Sequence, residues 1–235
     1  MQGSTLRMHA LPASATPNMS ARTGGWLQLQ SGRRFWPLDP RPGDFTIEDI
    51  AHGCAHESRY GGQTPRFYGV AQHSVLVSER AEQLAHAGLC ADGKCRCAQV
   101  ALWGLLHDAS EGLGLKDIPA PLKQSLPDYL AVERRVMQAV CEKFRLAPEE
   151  PQEVAQADGE VFATEARDLF PKRKRPAEWG GLVHPPLAYA VVPWPIPASE
   201  GRYVSRCYEL TWQIEQDARS RRRTRQWWLK PRTQP

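Results

Sequence analysis

Helical periodicity is the feature of this sequence that most restricts its fold. After residue 45, apolar residues recur at steps of three and four in successive segments, and no stretch alternates apolar and polar residues long enough to demand a β-sheet. Such spacing gives each helix one apolar face that must be buried against its neighbours. The sequence therefore predicts an all-α fold arranged as a single helical bundle. The predicted helices span approximately residues 46–56, 67–87, 98–112, 128–145, 148–169 and 201–218.

Local signals support two of these helices. Thr46 followed three residues later by Asp49 is typical of a capping box, so the first helix is predicted to begin there. The third helix, from about Ala98 to Gly112, is apolar on almost every side. A helix of that kind is expected at the centre of a bundle.

The two ends of the chain and one internal segment lack this periodicity. Residues 1–25 of the 235-residue chain are rich in Ala, Ser, Thr, Pro and Gly and are predicted to form a disordered arm. Residues 26–43 mix apolar residues with turn formers, which favours an irregular N-terminal cover over the core. Seven prolines between 171 and 200 predict a Pro-rich irregular excursion. The helical domain is thus expected to span 26–218, followed by a basic disordered tail at 219–235.

Composition favours a soluble cytoplasmic protein. Hydrophobic residues make up 41% and charged residues 24% of the chain, which excludes a fibrous or fully disordered protein. Apolar runs such as Val100 to Leu106 are far shorter than the roughly 20 residues that cross a bilayer, so no membrane association is expected. The N-terminal residues do not resemble a secretory signal, and we therefore expect a cytoplasmic location and reduced thiols for the six cysteines.

Three cysteines, Cys90, Cys95 and Cys97, lie close together near His86 and raise the alternative of a structural zinc site. Their spacing differs from the paired CxxC pattern of common zinc sites. The segment is better interpreted as a loop between two helices.

Polar residues interrupt the apolar stripes at positions that converge on one interior. His73 lies on the stripe of the second predicted helix, and Asp158 lies on that of the fifth. The adjacent residues His107 and Asp108 stand near the end of the third, most apolar helix. Burying four such groups unpaired would be costly, whereas one divalent cation would satisfy all of them. Neutral imidazole and carboxylate are ligands that divalent transition metals such as Mn or Co accept.

The alternative is that each group is an ordinary buried polar residue satisfied by hydrogen bonds, which is the usual role of a single inward histidine. The joint pattern favours a metal site, because Glu111 also follows His107 by one helical turn on the same face. The sequence therefore predicts one divalent metal ion, with four candidate ligands: His73, His107, Asp108 and Asp158.

The order of one histidine, an adjacent His-Asp pair and a later aspartate on successive helices resembles the HD-domain phosphohydrolases. The strings HDASE at 107–111 and DIPAPLK at 117–123 are similar to the branch that contains the 5'-deoxynucleotidases and phage-type nucleotide hydrolases. The resemblance covers about residues 26–170 and includes RYGGQTPRFYGVAQHSVLVSE at 59–79 and VAQADGEVFATEARDLF at 154–170. It implies an all-helical HD domain, a metal on the four candidate ligands, and hydrolysis of a nucleotide phosphate.

The resemblance also implies roles for residues other than the metal ligands. Glu111 would orient or deprotonate the attacking water, and Asp117 would work near the sugar or the leaving oxygen. Arg59 and Tyr60 stand where relatives place an arginine followed by an aromatic residue, and they would act as a phosphate clamp and a base-stacking platform. Arginine suits this role because its planar fork pairs with phosphate in a bidentate manner.

The number of phosphates removed stays open at this point. Deoxynucleoside 5'-monophosphates are the preferred substrate class, and hydrolysis of dNTPs is the alternative, since this branch includes phage-type proteins that act on triphosphates. Basic residues at the mouth of the site would favour a longer phosphate chain. The sequence candidates for such residues are Lys116, Lys123 and Arg66.

A nucleic-acid-binding protein is the alternative from another class. The tail contains five arginines between 219 and 225, followed by Trp227 and Trp228, and this composition favours salt-sensitive, sequence-independent contact with nucleic acid. The string PKRKRP at 171–176 has the same character. Helical domains also often pair through apolar faces, so a homodimer stays open as a further partner.

Overall fold

A computed structural model describes residues 22–89, 96–171 and 183–228 of the chain. This part of the chain is mainly α-helical, so the predicted all-α class is confirmed. Its elements in chain order are β1 (Leu27–Gln28), β2 (Arg34–Phe35), α1 (Ile47–His56), α2 (Val70–Leu89), α3 (Cys97–Leu106), α4 (Ala120–Lys123), α5 (Pro127–Phe144), α6 (Gln152–Asp168) and α7 (Ile196–Trp228). A 3₁₀ turn at Arg59–Gly62 precedes α2, and a π-helical turn at Glu111–Leu115 follows α3.

The predicted N-terminal cover contains a short hairpin, in which β1 and β2 pair antiparallel. Arg22 fixes the chain just before it. The guanidinium donates to both carboxylate oxygens of Asp44 at 2.7 and 3.0 Å and lies 4.4 Å from the centre of the Trp36 ring. Because this ion pair and stacking contact hold Arg22 against the fold, the predicted disordered arm is wrong for residues 22–25. Residues 1–21 lie outside the described residues.

α1 begins where the sequence predicts, at a reciprocal capping box. The Thr46 hydroxyl accepts a hydrogen bond from the Asp49 N–H at 3.2 Å, and the Asp49 carboxylate accepts one from the Thr46 N–H at 2.9 Å. At the other end, the Glu57 N–H donates to the Gly53 carbonyl oxygen at 2.9 Å, and the chain leaves the helix in an extended conformation. α1 therefore delivers the chain directly to the 3₁₀ turn that carries Arg59.

α2 and α3 form the centre of the bundle, and α3 is buried on nearly every side, as predicted. A Cβ added at Gly104 of α3 would lie 3.3 Å from both the Ala81 Cβ and the Ser78 Cα of α2, so glycine lets the two helices approach closely. The Ser78 hydroxyl donates to the Ala101 carbonyl oxygen across this contact at 2.7 Å. The close pairing fixes the spacing between the polar residues that the two helices carry.

α2 and α3 differ from their predicted bounds. α2 begins at Val70, about one turn later than predicted, because the residues before it pair in an extended conformation in which the Arg59 N–H donates to the Tyr68 carbonyl oxygen at 3.0 Å. α3 ends at Leu106, before its predicted end, and the chain continues as the π-helical turn. Gly114 in this turn has a φ of +98°, a conformation that cannot continue a right-handed helix.

α6 and α7 also differ from the predictions. α6 begins at Gln152 rather than near Pro148, because Pro151 occupies the cap position. α7 runs from Ile196 to Trp228 and so extends beyond both predicted ends. No glycine or proline occurs between 202 and 230, and arginine, glutamine and glutamate are good helix formers, so the predicted disordered tail is wrong for residues 219–228.

The described part of the Pro-rich excursion is irregular, as predicted. Side chains from α2 and α6 bind its backbone in place of the hydrogen bonds of a regular element. The Arg167 guanidinium donates to the carbonyl oxygens of Leu187 and Tyr189 at 2.7 and 2.6 Å, and the Gln72 side-chain oxygen accepts from the Trp194 N–H at 2.7 Å. The excursion is thereby fastened along the two helices that carry His73 and Asp158.

Some sequence predictions fall outside the described residues. Cys90, Cys95 and most of the string PKRKRP belong to the segments that the structure does not describe. Of the residues named beside them, the Cys97 Sγ lies 4.0 Å from the His86 Nδ1. All four described cysteines are buried, and Cys54, Cys141 and Cys207 are free thiols. Among the described helices, none is long and apolar enough to cross a membrane.

Candidate metal centre and active site

Three helices bring the predicted metal ligands together. His73 of α2 is fully buried, and its Nε2 lies 3.3 Å from the Nε2 of His107, which follows the end of α3. The same His73 nitrogen lies 3.1 Å from the Asp158 Oδ1 on α6. The Asp158 side chain is 44% exposed, so the cluster opens to solvent on the α6 side.

Asp108 completes the group. Its Oδ2 lies 3.2 Å from the His107 Nε2 and 3.7 Å from the His73 Nε2. Four ligands that each lie about 2.0–2.2 Å from one ion would be separated from each other by roughly 3–3.6 Å. The measured separations are close to this range. His73, His107 and Asp158 have ligand atoms that all lie within 4.8 Å of one another, so these three residues could hold a metal ion, with the Asp108 carboxylate beside both histidines.

Each histidine is oriented by a hydrogen bond at its other ring nitrogen. The His107 Nδ1 lies 2.8 Å from the Gly104 carbonyl oxygen, which can only accept, so this nitrogen carries the hydrogen. The His73 Nδ1 lies 2.7 Å from the Glu165 Oε1. In the neutral form of each residue, the Nε2 therefore has its lone pair directed into the cluster. Histidines that bind metals in proteins are held in the same way.

Glu165 binds several residues of this site, a role that was not predicted from the sequence. Its carboxylate is fully buried and, besides the His73 imidazole, accepts from the Tyr60 hydroxyl at 2.6 Å, the Tyr68 hydroxyl at 2.7 Å and the Arg59 Nε at 3.2 Å. Burial alone would raise the pKa of Glu165, but the charges of Arg59 and His73, with these hydrogen bonds, lower the pKa to about 2. Glu165 is therefore an ionised buried carboxylate that orients a candidate metal ligand. Its position on the inward stripe of α6 was the available sequence signal.

The electrostatics of the cluster favour a positive charge at its centre. Burial opposes the charged form of His107, but the charges of Asp108 and Asp158 raise the pKa of His107 to about 10. The pKa of Asp158 is lowered to about 2, because its hydrogen bond to His73 and the nearby positive charges outweigh burial. The pKa of Asp108 is lowered well below its usual range, mainly by His107 against burial. These groups would be satisfied equally by a divalent cation.

The 3₁₀ turn places Arg59 against the cluster. The Arg59 side chain is 12% exposed, and its Nη1 lies 3.5 Å from the Asp108 Oδ2. Tyr60 has a φ of 59°, in the left-handed region that a residue other than glycine adopts at a cost of about 1 kcal/mol. Its hydroxyl is bound to Glu165, and its ring stacks on Phe162 with the centroids 6.3 Å apart. The structure thus brings Arg59 and Tyr60 to the site. The hydrogen bond from Tyr60 to Glu165 was not predicted from the sequence.

Glu111 lies on the π-helical turn, within electrostatic reach of Asp108. It is 4% exposed, and within the described residues its Oε2 has no hydrogen-bond partner. Burial, followed by the charges of Asp108 and Asp117, raises the pKa of Glu111 to about 9. The Lys123 Nζ lies 3.7 Å from its other carboxylate oxygen. Glu111 therefore offers an unsatisfied carboxylate oxygen beside the candidate ligands.

Two glycines make this placement possible. A Cβ added at Gly53 of α1 would lie 1.8 Å from the Gly112 carbonyl oxygen, and a Cβ at Gly112 would lie 2.6 Å from the Ile50 carbonyl oxygen. α1 and the π-helical turn therefore touch backbone to backbone, which no other residue pair would allow. The contact brings Glu111 and Arg59, at the ends of two different elements, to the same cluster.

Asp117 lies at the edge of the site. Its N–H donates to the Glu57 Oε1 at 3.3 Å, while the Lys116 Nζ lies 2.6 Å from the Glu57 Oε2. Burial raises the pKa of Asp117, and the charge of Asp108 raises it further against the opposing effect of Arg59. Asp117 therefore lies within electrostatic reach of the cluster. Glu57, at the end of α1, was not assigned from the sequence.

The three basic candidates for the mouth of the site differ in their surroundings. The Lys123 Nζ lies 2.5 Å from the Glu133 Oε1, and Lys116 is paired with Glu57. Arg66 is exposed. Two of the three candidates are therefore already paired with carboxylates.

The fold and the site define an all-helical protein with a His/Asp cluster that could hold a metal ion. No family model matches the sequence. The chain is 37% identical over 144 residues to the uncharacterized protein YfdR of Escherichia coli, and the match covers 61% of this chain and 72% of that protein. The chain therefore belongs to the same family as YfdR. It is also 40% identical over 124 residues to an uncharacterized protein of Rhodobacter capsulatus, and this match covers 52% of this chain and 59% of that relative.

Proposed function

We propose that this protein is a metal-dependent phosphohydrolase that releases phosphate from nucleotides, by preference from deoxynucleoside 5'-monophosphates. The observation that supports the proposal is the convergence of His73, His107, Asp108 and Asp158 from three helices, with Glu111 and Arg59 beside them. Such a donor set suits Mn, Co or a similar divalent transition metal. The nucleotide preference derives from the resemblance to the HD-domain phosphohydrolases.

The residues around the cluster have the chemistry that phosphate-ester hydrolysis requires. A bound divalent ion would lower the pKa of a water ligand and polarise a phosphoryl oxygen. Glu111 would accept a proton from the attacking water once a bound cation offsets the burial and the neighbouring carboxylates that raise its pKa; one of its buried oxygens has no partner among the described residues. Arg59 would offset negative charge on the phosphoryl oxygens. Asp117 would act near the sugar or the leaving oxygen.

The pairing of the basic residues favours monophosphates over dNTPs. A longer phosphate chain would bring more negative charge to the mouth of the site and would need cations that are not already neutralised. Lys123 is bound to Glu133, and Lys116 is bound to Glu57. Hydrolysis of dNTPs is therefore the second outcome that the experiment has to distinguish.

The test is product analysis with defined metals. The protein is stripped with chelator and supplied with Mn, Co or Mg, and phosphate and pyrophosphate released from ribo- and deoxynucleoside mono- and triphosphates are measured by chromatography. We expect metal-dependent release of phosphate from deoxynucleoside monophosphates. Asp108→Ala is expected to abolish it, whereas Asp128→Ala, an exposed aspartate at the start of α5, is the matched control and is expected to retain it.

Two results would change the proposal. Turnover confined to triphosphates would change the proposed substrate class to dNTPs, while the proposed hydrolase activity would stand. Absence of turnover with every metal, combined with nucleic-acid binding that disappears on deletion of residues 219–235, would overturn the proposal and favour a nucleic-acid-binding protein instead.

A further inference from the structure

A second group of potential metal ligands lies on the surface, away from the residues of the candidate active site. It consists of His52 and His56 on α1 and Glu200 near the start of α7. One ligand atom from each of these residues lies within 4.8 Å of the other two. We propose that this group binds a divalent transition metal ion, Zn²⁺ or Co²⁺ by its ligand chemistry, and that the ion fastens the end of α1 to the start of α7.

Helix geometry brings the two histidines together. Residues four apart on a helix lie on the same face, one turn above the other. The two imidazole rings are 4.2 Å apart between centroids and tilted by 37°, so both are directed to the same side of α1. Glu200 approaches from α7, and its Oε1 lies 3.4 Å from the His52 Nδ1. The three ligand atoms are therefore close enough together to be considered for one ion.

His56 is already oriented as a metal ligand. Its Nδ1 lies 2.8 Å from the carbonyl oxygen of His52, which can only accept a hydrogen bond. The hydrogen is therefore on Nδ1, and Nε2 keeps its lone pair for a metal. The interior residue His107 has the same arrangement with the Gly104 carbonyl oxygen. This type of hydrogen bond fixes the tautomer and orientation of histidines that bind metals.

The ligand set and its exposure indicate the class of ion. The His52 and Glu200 side chains are 36% and 33% exposed, so an ion can enter without opening the bundle. Two imidazoles and one carboxylate, with water in the remaining position, form a ligand set that Zn²⁺ and related transition metals accept. Mg²⁺ and Ca²⁺ favour oxygen ligands, so the two nitrogens select against them.

A simple ion pair between His52 and Glu200 is the alternative, and it makes a different prediction. An ion pair would not involve His56, whose nearest recorded partner is the backbone of its own helix. A metal site requires both histidines, since two protein ligands hold an ion much less firmly than three. The contribution of His56 to metal binding therefore separates the two interpretations.

The position of the site gives it a structural consequence. His52 and Glu200 are 148 residues apart in the chain, so a metal between them would close a long loop of the fold. His56 is the last residue of α1, and the turn that carries Arg59 begins shortly after it. A bound ion would therefore stabilise the bundle and also anchor the segment that leads into the candidate active site.

The test measures metal binding in the full-length chain. The interior group, which consists of His73, His107, Asp108 and Asp158, is weakened by the substitution Asp108→Ala so that the surface group can be observed. Asp108→Ala is stripped with chelator and titrated calorimetrically with Zn²⁺ and, separately, Co²⁺, and the same titrations are made after adding His56→Gln, Glu200→Gln or the control His184→Gln. His184 is a histidine that belongs to neither group. We expect His56→Gln and Glu200→Gln each to remove one bound ion per chain or to weaken its binding by at least about tenfold, whereas His184→Gln leaves binding unchanged.

Thermal unfolding supplies an independent readout. Saturating Zn²⁺ is expected to raise the Tm of Asp108→Ala by about 5 °C, because an ion that binds the folded state alone stabilises it, and this rise should become smaller with His56→Gln, since only the remaining interior ligands would then hold an ion. In chelator the variants with and without His56→Gln should unfold at the same temperature, since His56 is exposed. Equal ion stoichiometry, equal affinity and equal Zn²⁺-induced stabilisation with and without His56→Gln would overturn the proposal. Metal binding that Glu200→Gln weakens and His56→Gln leaves unchanged would also overturn it, because His56 would then not be a ligand. None of these readouts requires the protein to be a hydrolase.

Discussion

The interior and surface groups contain the same kinds of side chain but differ in their surroundings. In the interior group, His73 is fully buried and its imidazole is held by the ionised Glu165, while an arginine and a carboxylate with an unsatisfied oxygen lie beside the candidate ligands. In the surface group, which consists of His52, His56 and Glu200, the His52 and Glu200 side chains are about one-third exposed to solvent. The ligands alone therefore do not distinguish a reactive centre from a binding site.

The difference shows what the interior adds. Electrostatic interactions are stronger where water is excluded, so positioned charges such as Arg59 can stabilise a developing phosphoryl charge there. At the surface, the higher dielectric weakens the same interactions, and an ion would act mainly as a cross-link between helices. We therefore expect changes in the interior group to affect turnover and changes in the surface group to affect stability.

The largest effect is expected from Asp108→Ala. The substitution removes a candidate ligand that lies 3.2 Å from the His107 Nε2, and phosphate release should fall by about 10³-fold or more, because a metal supplies several kcal/mol of transition-state stabilisation. His56→Gln should leave turnover within about twofold at saturating metal, since its site is on the surface. Initial rates of phosphate release measure both. Equal losses in the two variants would remove the distinction between the groups.

Glu111→Gln should have the next largest effect. Glutamine retains the size of the side chain but cannot accept a proton from water, so kcat should fall by about 10²–10⁴-fold. The interior metal should still bind, because Glu111 is not among the candidate ligands. Metal content and single-turnover rates on the same sample separate the two effects. A variant that loses its metal together with its activity would show that Glu111 is a ligand instead of a base.

The helical part of the fold could be predicted because local periodicity determines it. The stripes on α2 and α6 placed His73 and Asp158 inward, and the capping box placed the start of α1. Two of the errors occurred where contacts beyond the spacing of a helix decide the conformation. The extended pairing before α2 depends on Tyr68 meeting Arg59, and the interruption after α3 depends on the contact between α1 and Gly112.

The site was predicted less completely than the fold, for a related reason. The pattern of histidine and aspartate identified the four candidate ligands, but the partners that orient them come from elsewhere in the chain. Glu165 binds Tyr68, which lies 97 positions away, and no spacing in the sequence indicates that contact. His52 and His56 are visible as a pair on one helix, whereas Glu200 lies in a segment that was predicted to be irregular.

Glu165→Gln should have an intermediate effect that tests the orientation of the interior histidine. The amide cannot provide the charge that binds the His73 Nδ1–H, so the affinity of the interior group for a metal should fall by about 10–100-fold. Tyr68→Phe is the matched control, because it removes one donor to the same carboxylate and retains the charge. Competition with a chromophoric chelator measures both affinities. Equal affinities in Glu165→Gln and the native protein would show that His73 needs no anionic partner.

Thr46→Ala should have the smallest effect and should separate α1 from the interior group. The substitution removes the hydroxyl that accepts from the Asp49 N–H, and loss of such a cap costs about 1 kcal/mol, or a fall in Tm of roughly 2–4 °C. Interior metal affinity should stay within about twofold, because the candidate ligands lie on α2 and α6 and directly after α3 and not on α1.

The pH dependence of the free energy of unfolding tests Asp49, the other residue of this capping box. Burial opposes ionisation of Asp49, but hydrogen bonds from Ser31 and Thr46 lower its pKa, so the carboxylate stabilises the fold at neutral pH and this contribution disappears as the pH falls through the lowered pKa. Asp49→Asn should therefore reduce stability at pH 7 and make little difference at strongly acidic pH, as measured by denaturant unfolding at both values. If Asp49→Asn also weakened interior metal binding, the start of α1 would be coupled to the active-site end of that helix, and the surface group between them would be the first place to look for the connection.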